Sequence, residues 1–456
     1  MVFSSLEFLL LFLPVFLIIY YLSPPRYRNM CLLMASLAFY AYGVRAHIAY
    51  LFLLLASVCI NFFLGLFIER YHRKSILILG LLYNLGVLFV FKYSGFFFAS
   101  VLRVATQPFQ PELPIGISFY TFQAVSYLID IYRRTTPAEQ NLVCFGTYII
   151  MFPQLIAGPI VRYQDIRKRL HRRRCTPRAF LHGLSQFVFG LGLKVILANR
   201  IGNLWSSVCG IGFESVSTPL AWMGILACSL QIYFDFWGYS QMAIGLGRMI
   251  GFTLPVNFRH PYQARSMTDF WRRWHITLGA WFREYVYIPL GGNREGAWKT
   301  WRNLLIVWVL TGVWHGAGWN FLIWGFFLFA VIAIEKAGLL SVLERHPLCS
   351  RLYMLLLIPV CWLMFSVTDL SQMGIYFQRL VGLGGTSVFQ GDFLKYAQQY
   401  GLLLAVGVLF CTPVPYRVWD RVKKPWATVI LVIVVLLTCI YYLYMGMNDP
   451  FLYFNF

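Results

Sequence analysis

Charge is scarce in this sequence. Asp, Glu, Lys and Arg make up 12% of its 456 residues, against roughly 25% in an ordinary soluble domain. With 59% hydrophobic and 18% aromatic residues, a water-soluble enzyme is excluded. Acidic residues are rarest, 17 against 38 Lys plus Arg. In a soluble protein the resulting +21 would point to nucleic acid. In a membrane chain, basic cytoplasmic loops and anionic headgroups account for it, so no nucleic-acid partner is expected. The ten cysteines contain no Cys-x-x-Cys pair. Their scatter through apolar runs reads as buried small hydrophobes, not disulfides or metal ligands, and no metal is expected. An internal repeat, a low-complexity linker and any polar stretch long enough for a globular domain are also missing. Residues 1–456 therefore read as one membrane-embedded domain.

What is present is a series of apolar runs. The first, Val2 to Leu22, has no Lys or Arg ahead of it, carries Glu7 and lacks a small-residue cleavage site, so it reads as a retained span. Further spans are expected at 30–44, 48–68, 76–92, 113–131, 179–198, 220–245, 303–316, 319–336, 352–367, 398–412 and 426–446. The basic loops around Arg70, Arg133 and Arg134, 162–178 and 413–425 must share the cytoplasmic side. That requirement forbids a single crossing by 143–160. Its MFPQLIAGPIV sequence, with Pro153, Gly158 and Pro159, is a poor spanning helix and reads as re-entrant or packed against protein. The expected fold is an all-α polytopic membrane protein of about twelve spans plus re-entrant and interfacial helices. Both termini are expected outside, and 258–302 forms a strongly basic cytoplasmic segment.

Ionisable residues inside apolar runs cost on the order of 2.5–3.5 kcal/mol each on insertion scales and are functional hypotheses by default. Asp235 lies mid-span in LQIYFDFWGYSQ. It reads either as a packing carboxylate hydrogen-bonded to neighbours or as part of a channel. The segment TDFWRRWHITLGAWFREYVYIPLGGNR is amphipathic. Its tryptophans and arginines suit an interfacial helix; equally, Arg272, Arg273 and Arg283 suit an anionic, phosphate-bearing donor, with Asp269 and Arg273 four apart fixing the helix. His315 sits where two apolar helices meet, among Gly312, Gly316 and Gly318, which permit a ligand or another backbone to approach. Trp314 and Trp319 offer walls. A neutral imidazole there can take a proton from a hydroxyl as it attacks a thioester.

These stretches resemble a known family. LPIGISFYTFQAVSYLIDIYR at 113–133, FPQLIAGPIVRY at 152–163, QIYFDFWGYSQMAIGLGRMIGF at 231–252, DFWRRWHITLGAWFREYVYIPLGGNR at 269–294 and VWHGAGWNFLIWG at 313–325 are similar to the membrane-bound O-acyltransferases. The likeness is to the branch that acetylates bacterial extracellular polysaccharides such as alginate. It covers most of residues 1–335, and 336–450 is similar only in hydropathy. The resemblance implies a donut-like fold with a thinned centre near His315, the family's second histidine at His275, and acetyl-CoA as cytoplasmic donor substrate with no permanently bound cofactor. It also implies a bacterial inner membrane, a glycan acceptor outside, and a secreted Ser-His-Asp (SGNH) hydrolase-like acetyltransferase as partner.

The last six residues, FLYFNF at 451–456, resemble the terminal motif of the small membrane partner in lipoteichoic acid D-alanylation, where a tyrosine is proposed to carry the acyl group. Tyr453 is thereby an expected acyl carrier; the alternative is an aromatic cluster at the membrane interface. Peptidoglycan is the second candidate glycan. A transporter or flippase using Asp235 and His315 in a substrate or proton path is the reading from a different class.

Overall fold

The computed structural model describes residues 2–104, 111–156, 158–383, 388–422 and 424–446; Tyr453 and the rest of FLYFNF lie outside them. Every regular element among the described residues is helical, as expected of an all-α polytopic protein. Among the described residues, eight helices are long and apolar enough to cross a membrane: Ala49–Tyr71, Lys74–Val101, Pro177–Ile211, Thr218–Met249, Trp319–Arg345, Pro347–Ser366, Phe393–Phe410 and Pro425–Tyr444.

Four further expected spans take other forms. Phe8–Leu22 is apolar but shorter. Arg28–Gly43 and Ile117–Tyr132 have 16 residues each, about 24 Å of helix against a hydrocarbon core of about 30 Å. Ala297–His315 begins with Lys299 and Arg302 in its first two turns. The physical reason shows best in Ile117–Tyr132, where every residue except Ile129 and Tyr132 is buried. Its apolarity serves packing against protein, which hydropathy does not distinguish from lipid contact.

The 143–160 stretch forms two short helices, Leu142–Ile150 and Phe152–Leu155, neither long enough to cross alone. Its described residues from Cys144 to Val161 are buried, the setting in which irregular backbone is tolerated at membrane depth. All ten cysteines are free; Cys144, Cys228, Cys361, Cys411 and Cys439 are buried. The exposed Cys59, Cys209 and Cys349 lie on helices long and apolar enough to cross a membrane.

Packing divides the chain into two compact units, Met1–Val188 with Tyr239–Val256, and Phe189–Gly238 with Asn257–Phe456. The division passes through the continuous helices Pro177–Gly192 and Thr218–Met249 and not through a linker. In the first unit Phe3, Phe8, Phe12, Phe16, Phe39 and Phe152 form an aromatic core. The second unit holds both histidines of interest.

Candidate active site

A glycine-spaced helical hairpin places His315. Gly312, on Ala297–His315, meets the Phe321 carbonyl of Trp319–Ile334, and a Cβ at Gly325 would lie 2.6 Å from the Trp308 carbonyl. Of the two readings of these glycines, close backbone approach is the one realised at Gly312. The Asn320 amide donates to the carbonyls of Met364 (3.4 Å) and Phe365 (3.1 Å), tying the second helix to Pro347–Ser366. His315 ends the first helix and is 4% exposed. Trp314, Trp324 and Phe365 pack edge-on against its ring, with centroids at 4.9, 5.2 and 5.1 Å.

His275 comes from a broken element. The amphipathic segment folds as two short helices, Met267–Arg273 and Ile276–Phe282, with His275 between them at φ 42°. A left-handed conformation at a residue other than glycine costs on the order of 1–3 kcal/mol and persists only where the surroundings over-determine it. Here Asn257 supplies the constraint. Its carbonyl accepts Ile276 N–H at 3.0 Å; its side-chain oxygen accepts Thr277 N–H at 3.3 Å and the Thr277 hydroxyl at 2.7 Å. The same oxygen lies 3.3 Å from His275 Nδ1. An oxygen already receiving two donors from Thr277 makes Nδ1 a donor too, which leaves Nε2 as the basic nitrogen. Nε2 is buried and has no hydrogen-bond partner among the described residues. Burial pushes the pKa of this imidazole down to about 3. Its ring packs edge-on at 4.8 Å against Phe236 and lies 5.9 Å from Trp314. Trp314 thus touches both imidazoles.

Asp235 forms an ion pair with Lys194 at 2.6 Å, both side chains 2% exposed. Lys194 lies in a π turn, Leu193–Ala198, that continues Pro177–Gly192. The two helices approach closely here: a Cβ at Gly238 would sit 2.7 Å from the Gly190 carbonyl. Asp235 is thus paired inside the protein, as intramembrane carboxylates usually are, and is followed by the Phe236 that touches His275.

Residues 133–378 match the model of MBOAT, the membrane-bound O-acyltransferase family. The chain is 44% identical over 385 residues to the probable alginate O-acetylase AlgI of Azotobacter vinelandii, covering 81% of this chain and 76% of the relative. The protein of that name from Pseudomonas putida is 37% identical over the whole of both chains. The chain belongs to the membrane-bound O-acyltransferase family. This acyltransferase is also 30% identical to the peptidoglycan O-acetyltransferase of Helicobacter pylori, over 100% of this chain and 98% of the relative.

Within the acyltransferase, His275, Trp314 and His315 come together as one cluster. Asp269 binds Arg273 at 2.8 Å, as their spacing implied. Arg272 and Arg283 are exposed, and Trp319 is 48% exposed. Lys194, Asn257, Trp324 and Phe365 were not singled out in the sequence. Lys194 did carry a signal, a lone lysine in an apolar run; Asn257 carried none. Among the described residues, metal-ligand chemistry is grouped once, at Glu139, Cys144 and His171 in the first unit. The Glu139 carboxylate there accepts Tyr163 O–H at 2.6 Å and Asn141 N–H at 3.0 Å and meets His171 Nε2 at 2.9 Å. The Asn29 amide donates to Cys144 Sγ at 3.2 Å.

Proposed function

We propose that this acyltransferase takes acetyl groups from cytoplasmic acetyl-CoA and passes them outward for O-acetylation of an extracytoplasmic, alginate-like polysaccharide. The observation that carries the reading is the gathering of two buried imidazoles at the Trp314 ring. The acceptor oxygen attacks the thioester carbonyl while an imidazole nitrogen takes its proton. The C–O bond forms, the C–S bond breaks, and the coenzyme A thiolate leaves and recovers the proton. Burial depresses the basicity of His275. In this reading His315 takes that proton, and His275, held by Asn257, packs against the same Trp314 ring. The exposed Arg272 and Arg283 and the half-buried Arg273 meet the phosphates of the donor.

Tyr453 is the first acceptor in this scheme, and its acetyl ester is emptied onto the glycan by a secreted Ser-His-Asp hydrolase-like partner. The protein lies in the bacterial inner membrane with both termini outside. Peptidoglycan is the second acceptor worth testing, because the Helicobacter pylori relative matches along nearly the full length of both chains. Incubating the purified full chain with radiolabelled acetyl-CoA tests the donor and the base together. Label is expected on the wild type and absent from His315→Ala. Transfer that survives in His315→Ala removes His315 as base.

A further inference from the structure

Glu335 is a buried carboxylate that the chemistry above does not use. It is 0% exposed, at the end of Trp319–Ile334, and is in no ion pair among the described residues. Its charge is met by four donors. Oε1 accepts Met267 N–H at 2.5 Å and the Tyr353 hydroxyl at 3.0 Å. Oε2 accepts Thr268 N–H at 2.8 Å and the Thr268 hydroxyl at 2.6 Å. A π turn, Glu335–Leu339, begins at this residue, with Gly338 at φ 146°.

Three of those four donors open the helix Met267–Arg273. That helix carries Asp269, Arg272 and Arg273, and its far end runs into His275. The two short helices have separate anchors: Glu335 holds Met267 and Thr268 at the start of the first, whereas Asn257 holds Ile276 and Thr277 at the start of the second. We propose that Glu335 is a positioning residue of the donor site, fixing the basic helix that receives acetyl-CoA and leaving the alignment of His275 to Asn257. The inference rests on the acetyl-CoA reading for its kinetic part and on the hydrogen bonds alone for its structural part.

Glu335→Gln keeps the shape but turns an NH2 group toward backbone N–H donors. In the full chain in nanodiscs, the amides of Met267–Phe270 are expected to exchange with deuterium about tenfold faster, with those of Ile276–Phe282 unchanged. The KM for acetyl-CoA is expected to rise about tenfold with kcat within about twofold. Asn257→Ala is expected to show the reverse split. Tyr353→Phe, which removes one donor and leaves the carboxylate, gives a smaller change in the same direction and covers a Glu335→Gln chain that does not fold. Unchanged exchange at Met267–Phe270 in both variants overturns the anchor. Lower kcat at constant KM overturns the assignment to the donor site. A wild type with no saturable use of acetyl-CoA refutes the donor reading instead, and the exchange result still decides whether Glu335 is the anchor.

Discussion

Replacing Asp235 by Asn removes the counter-charge of Lys194 while keeping shape and volume. Both side chains are 2% exposed and 2.6 Å apart, so the ammonium has no route to solvent without the helices parting. Breaking a buried pair by removing one partner costs about 3–5 kcal/mol, because the remaining charge stays in a poor dielectric. Replacing both partners by apolar groups of similar volume is often neutral or stabilising. The Asp235→Leu, Lys194→Met double variant should therefore recover most of what Asp235→Asn loses. Thermal unfolding of the detergent-purified protein, followed by size-exclusion of the soluble fraction, compares wild type, Asp235→Asn and the double variant. The same proteins separate packing from chemistry: a structural pair leaves the acetyl-CoA kinetics of the double variant close to wild type, whereas a channel role does not. Wild-type stability in Asp235→Asn, or a double variant no better than the single, would refute the reasoning.

His275 makes stability depend on pH. Its folded-state pKa lies near 3, below the ordinary value of 6.5, so the unfolded chain takes up the proton first. The stabilisation is complete above pH 6.5 and is lost as pH falls toward 3, by about 1.4 kcal/mol per unit. Melting curves from pH 7.5 to 4.5 should show this slope, and His275→Gln should flatten it. Gly325→Ala places a methyl 2.6 Å from the Trp308 carbonyl; overpacking of this kind costs about 1–3 kcal/mol, readable as a lower melting temperature. Because the hairpin also carries His315, activity should fall with it. Tyr453→Phe keeps the ring and removes the hydroxyl. Loss of polysaccharide acetylation in cells is expected, and undiminished acetylation would leave the terminal aromatics with an interfacial role only.

The helical class and the membrane setting were legible in composition and hydropathy, because lipid excludes both charge and unpaired backbone groups. The hairpin at His315 was legible too, from its glycines and the two apolar runs that flank them. Hydropathy could not tell lipid contact from burial in protein: Ile117–Tyr132 is apolar and almost wholly buried.

Asp235 could be flagged from the sequence as an intramembrane carboxylate, but its partner stands 41 positions earlier in the chain, and helix packing at Gly190 and Gly238 is what brings Lys194 to it. The amphipathic segment carried its charges openly, yet nothing local announces the break at His275. That break depends on Asn257, which contributes its hydrogen bonds from 18 to 20 positions earlier in the chain. Local chemistry of this chain thus follows from solvent preference and helical period, which each residue expresses on its own. The pairing of buried charges and the holding of a strained histidine follow from donors and acceptors that are neighbours in space and strangers in sequence.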